Sequence, residues 1–211
     1  MAVDKEHIYT EIKNAILANE LKPNTKLDER FLMKRFQISR TPLRDILLRL
    51  HNDGLIKIVP RMGTIVAPLE LSDLREIVEM RKELEEFAVK LAIEKRNESH
   101  LHTLRQIIDG FGEAEENNRD LEVQTELDTR FHQTVYEAAH NKELTRCVDR
   151  MRTLMSRYWY NAGFNKKNMF SHFDSLRRVM NGIESRDFSL AQDAIQEHIE
   201  KFVSQLREII S

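Results

Sequence analysis

Asp128 and His132 stand four residues apart, and His198 lies far downstream. A helix would present the first two on one face. One carboxylate and two imidazoles drawn from two segments form a donor set suited to a divalent transition ion, with Zn, Ni and Mn as candidates. The plainer reading is that both histidines are hydrogen-bonded core residues, because His132 sits beside the Leu127/Phe131 stripe and His198 falls on the apolar row Ala191, Ile195, Phe202. Arg81 raises a second question. It occupies an apolar slot in the series Leu74, Ile77, Val78, Leu84, Ala88. A buried guanidinium needs an anion, which is either Glu85 one turn on or the carboxylate of a bound small molecule. A third set lies near the front. Arg40 and Arg44 share a helix face at the start of a segment where Ser39 is a natural N-cap and Pro42 falls in the first turn. Donors in that place reach base edges in a major groove, and Thr41 adds a hydroxyl for base or phosphate. Arg30 and Arg61 widen the basic footprint. The alternative is a plain trihelical bundle with arginines on a solvated face.

The elements that position these residues follow from periodicity. Ile8, Ile12, Ala15 and Ile16 predict a first helix, ended by a turn at Lys22-Pro23-Asn24. Asp28 caps a second carrying Phe31, Leu32 and Phe36, and Gln37-Ile38 makes a tight turn. A third helix carries Leu43, Ile46, Leu47 and Leu50 and stops at Asp53-Gly54. Two β runs follow, 55–59 and 64–66, joined by a hairpin turn Pro60-Arg61-Met62-Gly63. The chain divides near Ala67-Pro68. The expectation is a domain over 1–68, a linker over 69–72 and an all-helical domain over 73–211, built from about six antiparallel helices joined by short connections. These are expected over 73–95, 99–116, 120–139, 141–161, 165–185 and 187–210. The fold class expected is therefore mostly α: three helices with a two-stranded wing, then a helical bundle.

Charge divides the same way. Residues 1–68 hold 12 Lys+Arg and 8 Asp+Glu, a balance of +4; of the totals 33 and 35, the remainder is 21 and 27, a balance of −6. A basic front on an acidic body suits a chain that meets a polyanion at one end. No stretch approaches the roughly 18 uninterrupted apolar residues of a membrane helix, and the charged opening MAVDKEHIYTEI is no secretory signal. Cys147 is the only cysteine, so no internal disulfide forms, in keeping with a cytoplasmic protein.

The run Ser39-Arg40-Thr41-Pro42-Leu43-Arg44-Asp45-Ile46-Leu47 resembles the SRTPVREAL signature of GntR-type transcription regulators. Leu21-Lys22-Pro23, Leu27-Asp28-Glu29, Asp53-Gly54-Leu55 and the Gly63 wing extend the likeness over nearly all of residues 7–68. The resemblance implies a winged helix-turn-helix in which Arg30, Arg40, Arg44 and the wing tip at Arg61 and Gly63 contact a double-stranded DNA operator, with Ser39 and Thr41 beside them. Residues 73–211 resemble the FCD ligand-binding domain of the FadR subfamily, through Arg81-Lys82-Glu83-Leu84-Glu85, Asp128-Thr129-Arg130-Phe131-His132, Asn141-Lys142-Glu143-Leu144, and Asp187 with Ala191 and His198. That likeness implies a divalent metal held by an aspartate and three histidines, with a small organic acid on the metal. Asp128, His132 and His198 match three ligands. The fourth histidine is expected eleven residues before Asp187, where Leu176 stands, and His172 lies one turn earlier. Either three ligands suffice, with water or effector oxygens completing the site, or the pocket takes its carboxylate effector through Arg81 and polar groups without metal.

The function implied is a ligand-responsive regulator, of which repression is the commoner mode, acting as a homodimer because two-fold operators mirror two-fold proteins. A metal-dependent enzyme using Asp128, His132 and His198, with Glu85 or Glu126 as base, is the competing class, although no HExxH pattern occurs. Tyr158, Trp159, Tyr160 and Phe164 either line the effector pocket or pack in the core or at a dimer contact.

Overall fold

The structure is a computed structural model that describes residues 4–116, 121–161 and 166–210, with the side chains of 115–116, 121–122, 159–160, 166–172 and 207–210 outside the description. Among the described residues run nine helices and two strands: α1 (Lys5–Leu17), α2 (Glu29–Phe36), α3 (Arg40–Asn52), β1 (Ile56–Val59), β2 (Gly63–Val66), α4 (Leu71–Lys95), α5 (Glu98–Glu116), α6 (Leu121–Ala138), α7 (Lys142–Asn161), α8 (Lys166–Ser185) and α9 (Phe188–Ile210). The mostly helical class and the winged front are as expected. No helix among the described residues is long and apolar enough to cross a membrane.

Two compact units emerge. The first comprises residues 1–75 together with Arg152–Asn161 from the end of α7. Its core is the expected stripes brought together: Ile8, Ile12 and Ile16 of α1, Leu32 of α2, Leu43, Ile46, Leu47 and Leu50 of α3, closed by Leu55, Ile56 and Val66. Helix α1 stops at Leu17, ahead of the Lys22-Pro23-Asn24 turn, because Asn19 already adopts a left-handed φ of 59°. Asp28 caps α2 as expected, its Oδ1 accepting from the N–H groups of Arg30 and Phe31 at 2.9 and 3.1 Å. Ser39 occupies the N-cap of α3 with extended backbone, but its side chain makes no capping hydrogen bond, which corrects that part of the expectation. The residue is exposed, so solvent can satisfy the N–H groups a cap would otherwise take.

Strands β1 and β2 pair antiparallel, Ile56 opposite Val66 and Val59 opposite Gly63. The hairpin needs two left-handed residues, Arg61 at φ 65° and Gly63 at φ 97°. Residues 24–27 cover the outer edge of β2: Asn24 donates to the Val66 carbonyl, Leu27 to the Thr64 carbonyl, and Val66 to the Thr25 carbonyl. This extra edge stiffens the wing and has no periodic signature. Arg157 of α7, buried and stripped of water so that its pKa falls, donates to the backbone carbonyls of Ala67 and Gly54 at the base of the wing. Tyr158 donates to the Glu70 carbonyl at 2.9 Å, and burial next to Asp73 pushes its hydroxyl up to about 12. Tyr158 thus packs within this unit; the side chains of Trp159, Tyr160 and Phe164 lie outside the described residues.

The second unit comprises Glu76–Met151 and Ala162–Ser211. Helices α8 and α9 form its closest pair, because a Cβ on Gly182 would stand only 2.6 Å from the Cβ of Ala191. The ends of its helices are tied by cations, as carbonyl-rich C-termini favour. Lys95 donates to the Ala139 carbonyl at 3.0 Å after α6, and Arg96 to the Ile183 and Glu184 carbonyls at 2.6 and 2.7 Å in α8.

A candidate DNA-reading face and a buried aspartate–histidine centre

In the first unit, Arg30, Ser39, Arg40, Thr41, Arg44 and Arg61 are all exposed. The four arginines make no ion pair among the described residues, whereas the neighbouring charges do. Lys5 holds Asp45 at 2.7 Å, Glu6 binds Arg49, and Glu11 binds Arg35. Asp45 is the one acid in the opening turns of α3, so its pairing with Lys5 leaves Arg40 and Arg44 as the uncompensated charges at the front of that helix. Helix α3 also directs its free N–H groups and positive dipole end to the same region, where a phosphate fits. Exposed Phe31 and Met62 stand beside Arg30 and Arg61 in the chain; Phe31, expected with Leu32 and Phe36 among the apolar residues of α2, turns outward instead.

In the second unit the three residues singled out by spacing come together. His132 Nε2 and His198 Nε2 are 3.3 Å apart, and Asp128 Oδ1 is 3.6 Å from each. Both histidines are buried and Asp128 is half-buried. An ion about 2.1 Å from three such donors spaces them by about 3.4 Å if tetrahedral and about 3.0 Å if octahedral, so the triangle fits a divalent ion with little adjustment. All three face inward, and the remaining positions of such an ion would be open to water or ligand oxygens.

The expected fourth position is filled by Leu176, fully buried and without a donor atom. His172 falls outside the described side chains. Next to Leu176, Ser175 places its hydroxyl 3.3 Å from His198 Nδ1. Arg81 is buried, and its Nε donates to Glu85 Oε1 at 3.0 Å. Glu85, one of the two anions weighed for it, pairs with it inside the protein. Glu85 is itself fully buried; Tyr136 donates to its Oε1 at 2.6 Å, and His132 Nδ1 lies 3.2 Å from its Oε2. Spacing along α6 places His132 and Tyr136 on one face, but neither Tyr136 nor Ser175 stood out in the sequence. Tyrosine and serine are ordinary core-edge residues until a neighbour from another helix gives them a partner.

A helix–helix–turn–helix with a stiffened wing and an uncompensated arginine face is a DNA-reading module, and the helical unit with a polar centre has the form of a sensor. Comparison with known proteins agrees. Residues 4–66 match the family described as bacterial regulatory proteins, gntR family, and residues 76–201 match the FCD domain. The chain belongs to the GntR regulators with an FCD domain, and it is a DNA-binding transcription regulator. The HTH-type transcriptional repressor RspR of Escherichia coli is 24% identical over 209 residues, 97% of this chain and 89% of that protein. YdhC of Bacillus subtilis, an HTH-type transcriptional regulator, is 29% identical over 147 residues, 70% of this chain and 66% of that protein's length. The solved structure of E. coli McbR/YncC superposes with a TM-score of 0.83 over the whole of both chains at 21% identity, which shows a shared fold. The competing metalloenzyme reading finds no support, since the family and these relatives are regulators of transcription.

Proposed function

We propose that the protein is a repressor that binds a two-fold operator as a homodimer and is modulated by a small organic acid in its helical domain. Arg30, Arg40, Arg44 and Arg61 with Ser39, Thr41 and Gly63 form the operator-contacting set. Asp128, His132 and His198 hold a divalent ion, Zn, Ni or Mn, and Arg81 faces the acid's carboxylate. The domain division is 1–68 and 73–211, with the joining residues 69–72 running into the start of α4 at Leu71, and the compartment is the cytoplasm. When bound, the ion supplies Lewis-acid anchorage for an effector oxygen. The chain's own part is to orient the donors and exclude water around them. Effector binding shifts the balance between conformations of unequal operator affinity.

The observation that carries the sensing half is the buried triangle of Asp128, His132 and His198. One carboxylate and two imidazoles from α6 and α9 converge there at the spacing a divalent ion needs. The deciding experiment is a thermal-shift screen of small carboxylates with and without chelator, alongside metal analysis of the purified protein. Stabilisation by a carboxylate that vanishes with chelator is expected. Stabilisation that survives chelation points to Arg81 alone, and protein free of metal after purification and after incubation with Zn, Ni and Mn overturns the metal assignment.

A further inference from the structure

We infer that the outward row of α4, made of Met80, Leu84, Phe87 and Leu91, is where two copies of this chain pack together, antiparallel, with Glu83 of each copy against the partner's Lys90. The inference rests on the homodimer reading above and adds to it the surface and the direction of approach.

Helix α4 has two sides with different fates. The inner side is taken by its own chain. Arg81 and Glu85 meet each other, and Glu85 accepts from Tyr136 of α6. Lys82 holds Glu200 of α9 at 2.6 Å, and Glu86 accepts from Gln192 at 2.7 Å and from Gln196. Ala88 and Ala92 are fully buried. On the outer side, Met80 and Phe87 are 52% and 45% exposed, and Leu84 and Leu91 are half-buried. These four stand at steps of four, three and four residues, so they form one row along the helix. A single exposed apolar side chain is ordinary on a protein surface. Four of them at the repeat of a two-helix packing form a contact surface that lacks its other half.

The charges beside the row identify what covers it. Glu83 and Lys90 flank the same edge of it two turns apart, and both are exposed. Among the described residues neither forms an ion pair, whereas Lys82 on the inner side finds Glu200. A second copy carries both complements already. With the two helices antiparallel about a two-fold axis, Met80 faces the partner's Leu91 and Leu84 faces the partner's Phe87, each contact being made twice. Glu83 then lies about 3 Å along the axis from the level of the partner's Lys90, two residues at the helical rise and within reach of a lysine side chain. The symmetry makes that ion pair twice as well. A parallel pairing instead brings Lys90 towards the partner's Lys95 and gives Glu83 no cation, so the flanking charges select the antiparallel direction.

Sedimentation equilibrium of the full chain without DNA, over a dilution series, tests the surface. Wild type is expected as a dimer, and Phe87→Glu as a monomer with its helical circular dichroism retained. Glu83→Lys and Lys90→Glu alter only exposed charges, so they serve even where Phe87→Glu does not fold. Each alone sets like charges face to face and is expected to weaken self-association about tenfold. The double variant restores both pairs with the signs exchanged and is expected to return to the wild-type constant. Wild-type affinity in a folded Phe87→Glu, or in either single charge variant, overturns the α4 surface while the homodimer reading stands. A double variant no tighter than the single ones overturns the antiparallel register. A wild type that stays monomeric at every concentration ends the homodimer reading and this inference together.

Discussion

Arg44 and Asp45 are neighbours on α3 with opposite fates: the acid is taken by Lys5, and the arginine is left exposed to meet another molecule. This division makes the arginine's role measurable. A bidentate Arg–guanine contact contributes about 1–3 kcal/mol of discrimination. Arg44→Ala is expected to weaken binding to the cognate operator by about that amount and to flatten the preference among operator variants in fluorescence anisotropy. Unaltered affinity and selectivity would show that the reading helix has been misassigned. At the other end of the chain, His132→Ala is expected to abolish metal uptake in a direct titration while leaving operator binding by the metal-free protein intact. The residue scale was legible to different depths. The signature around Ser39–Leu47 is contiguous, so the sequence displays it whole. Asp128 and His132 are one turn apart and equally plain. Glu85, Tyr136 and Ser175 become informative only through partners on other helices, and no local pattern contains those partners.

The helices show where local and tertiary forces part. Asp28 caps α2 through two backbone N–H groups, so Asp28→Ala is expected to cost about 1 kcal/mol in urea denaturation, since capping carboxylates and hydroxyls typically contribute that much. Ser39 has the same sequence credentials but makes no such bond, so Ser39→Ala is expected to leave stability nearly unchanged. A measured loss as large as that of Asp28→Ala would contradict the cap geometry. The α8–α9 pair is governed by space. A side chain at Gly182 would lie 2.7 Å from the Ala191 backbone nitrogen, and backbone cannot swing aside as a side-chain tip can. Gly182→Val is therefore expected to destabilise by about 1–3 kcal/mol. It should also weaken zinc binding, because the same seam positions Ser175 against His198. Destabilisation with zinc affinity unchanged would show that the seam and the centre are independent.

At the scale of the molecule, a basic face and a buried polar centre belong to different units, and the last residues of α7 are built into the unit that carries the basic face. Arg157 supplies donors to the Ala67 and Gly54 carbonyls that bracket the wing. Arg157→Met is expected to lower stability by about 1–3 kcal/mol, the cost of leaving buried carbonyls unpaired. Operator binding should follow a steep salt dependence, falling linearly in log–log form as phosphate contacts release counterions. Salt-independent binding would rule out the arginine face as its source.

What the sequence by itself determined was everything held in a window of a few turns: helix periods, the Asp28 cap, the hairpin turn at Pro60-Arg61-Met62-Gly63, the arginine-bearing signature, and the one-turn spacing of Asp128 and His132. These are short-range effects of backbone geometry and of which face of a helix is apolar, and they need no knowledge of the rest of the chain. Only the tertiary structure decided that Arg81 pairs with Glu85, how closely His198 approaches Asp128 and His132, that residues 24–27 back the wing and that Arg157 is anchored at its base. A hydrogen bond is a matter of a few ångströms between atoms that may lie a hundred residues apart. The donor and acceptor types are written in the sequence, but their pairing exists only once the core has packed.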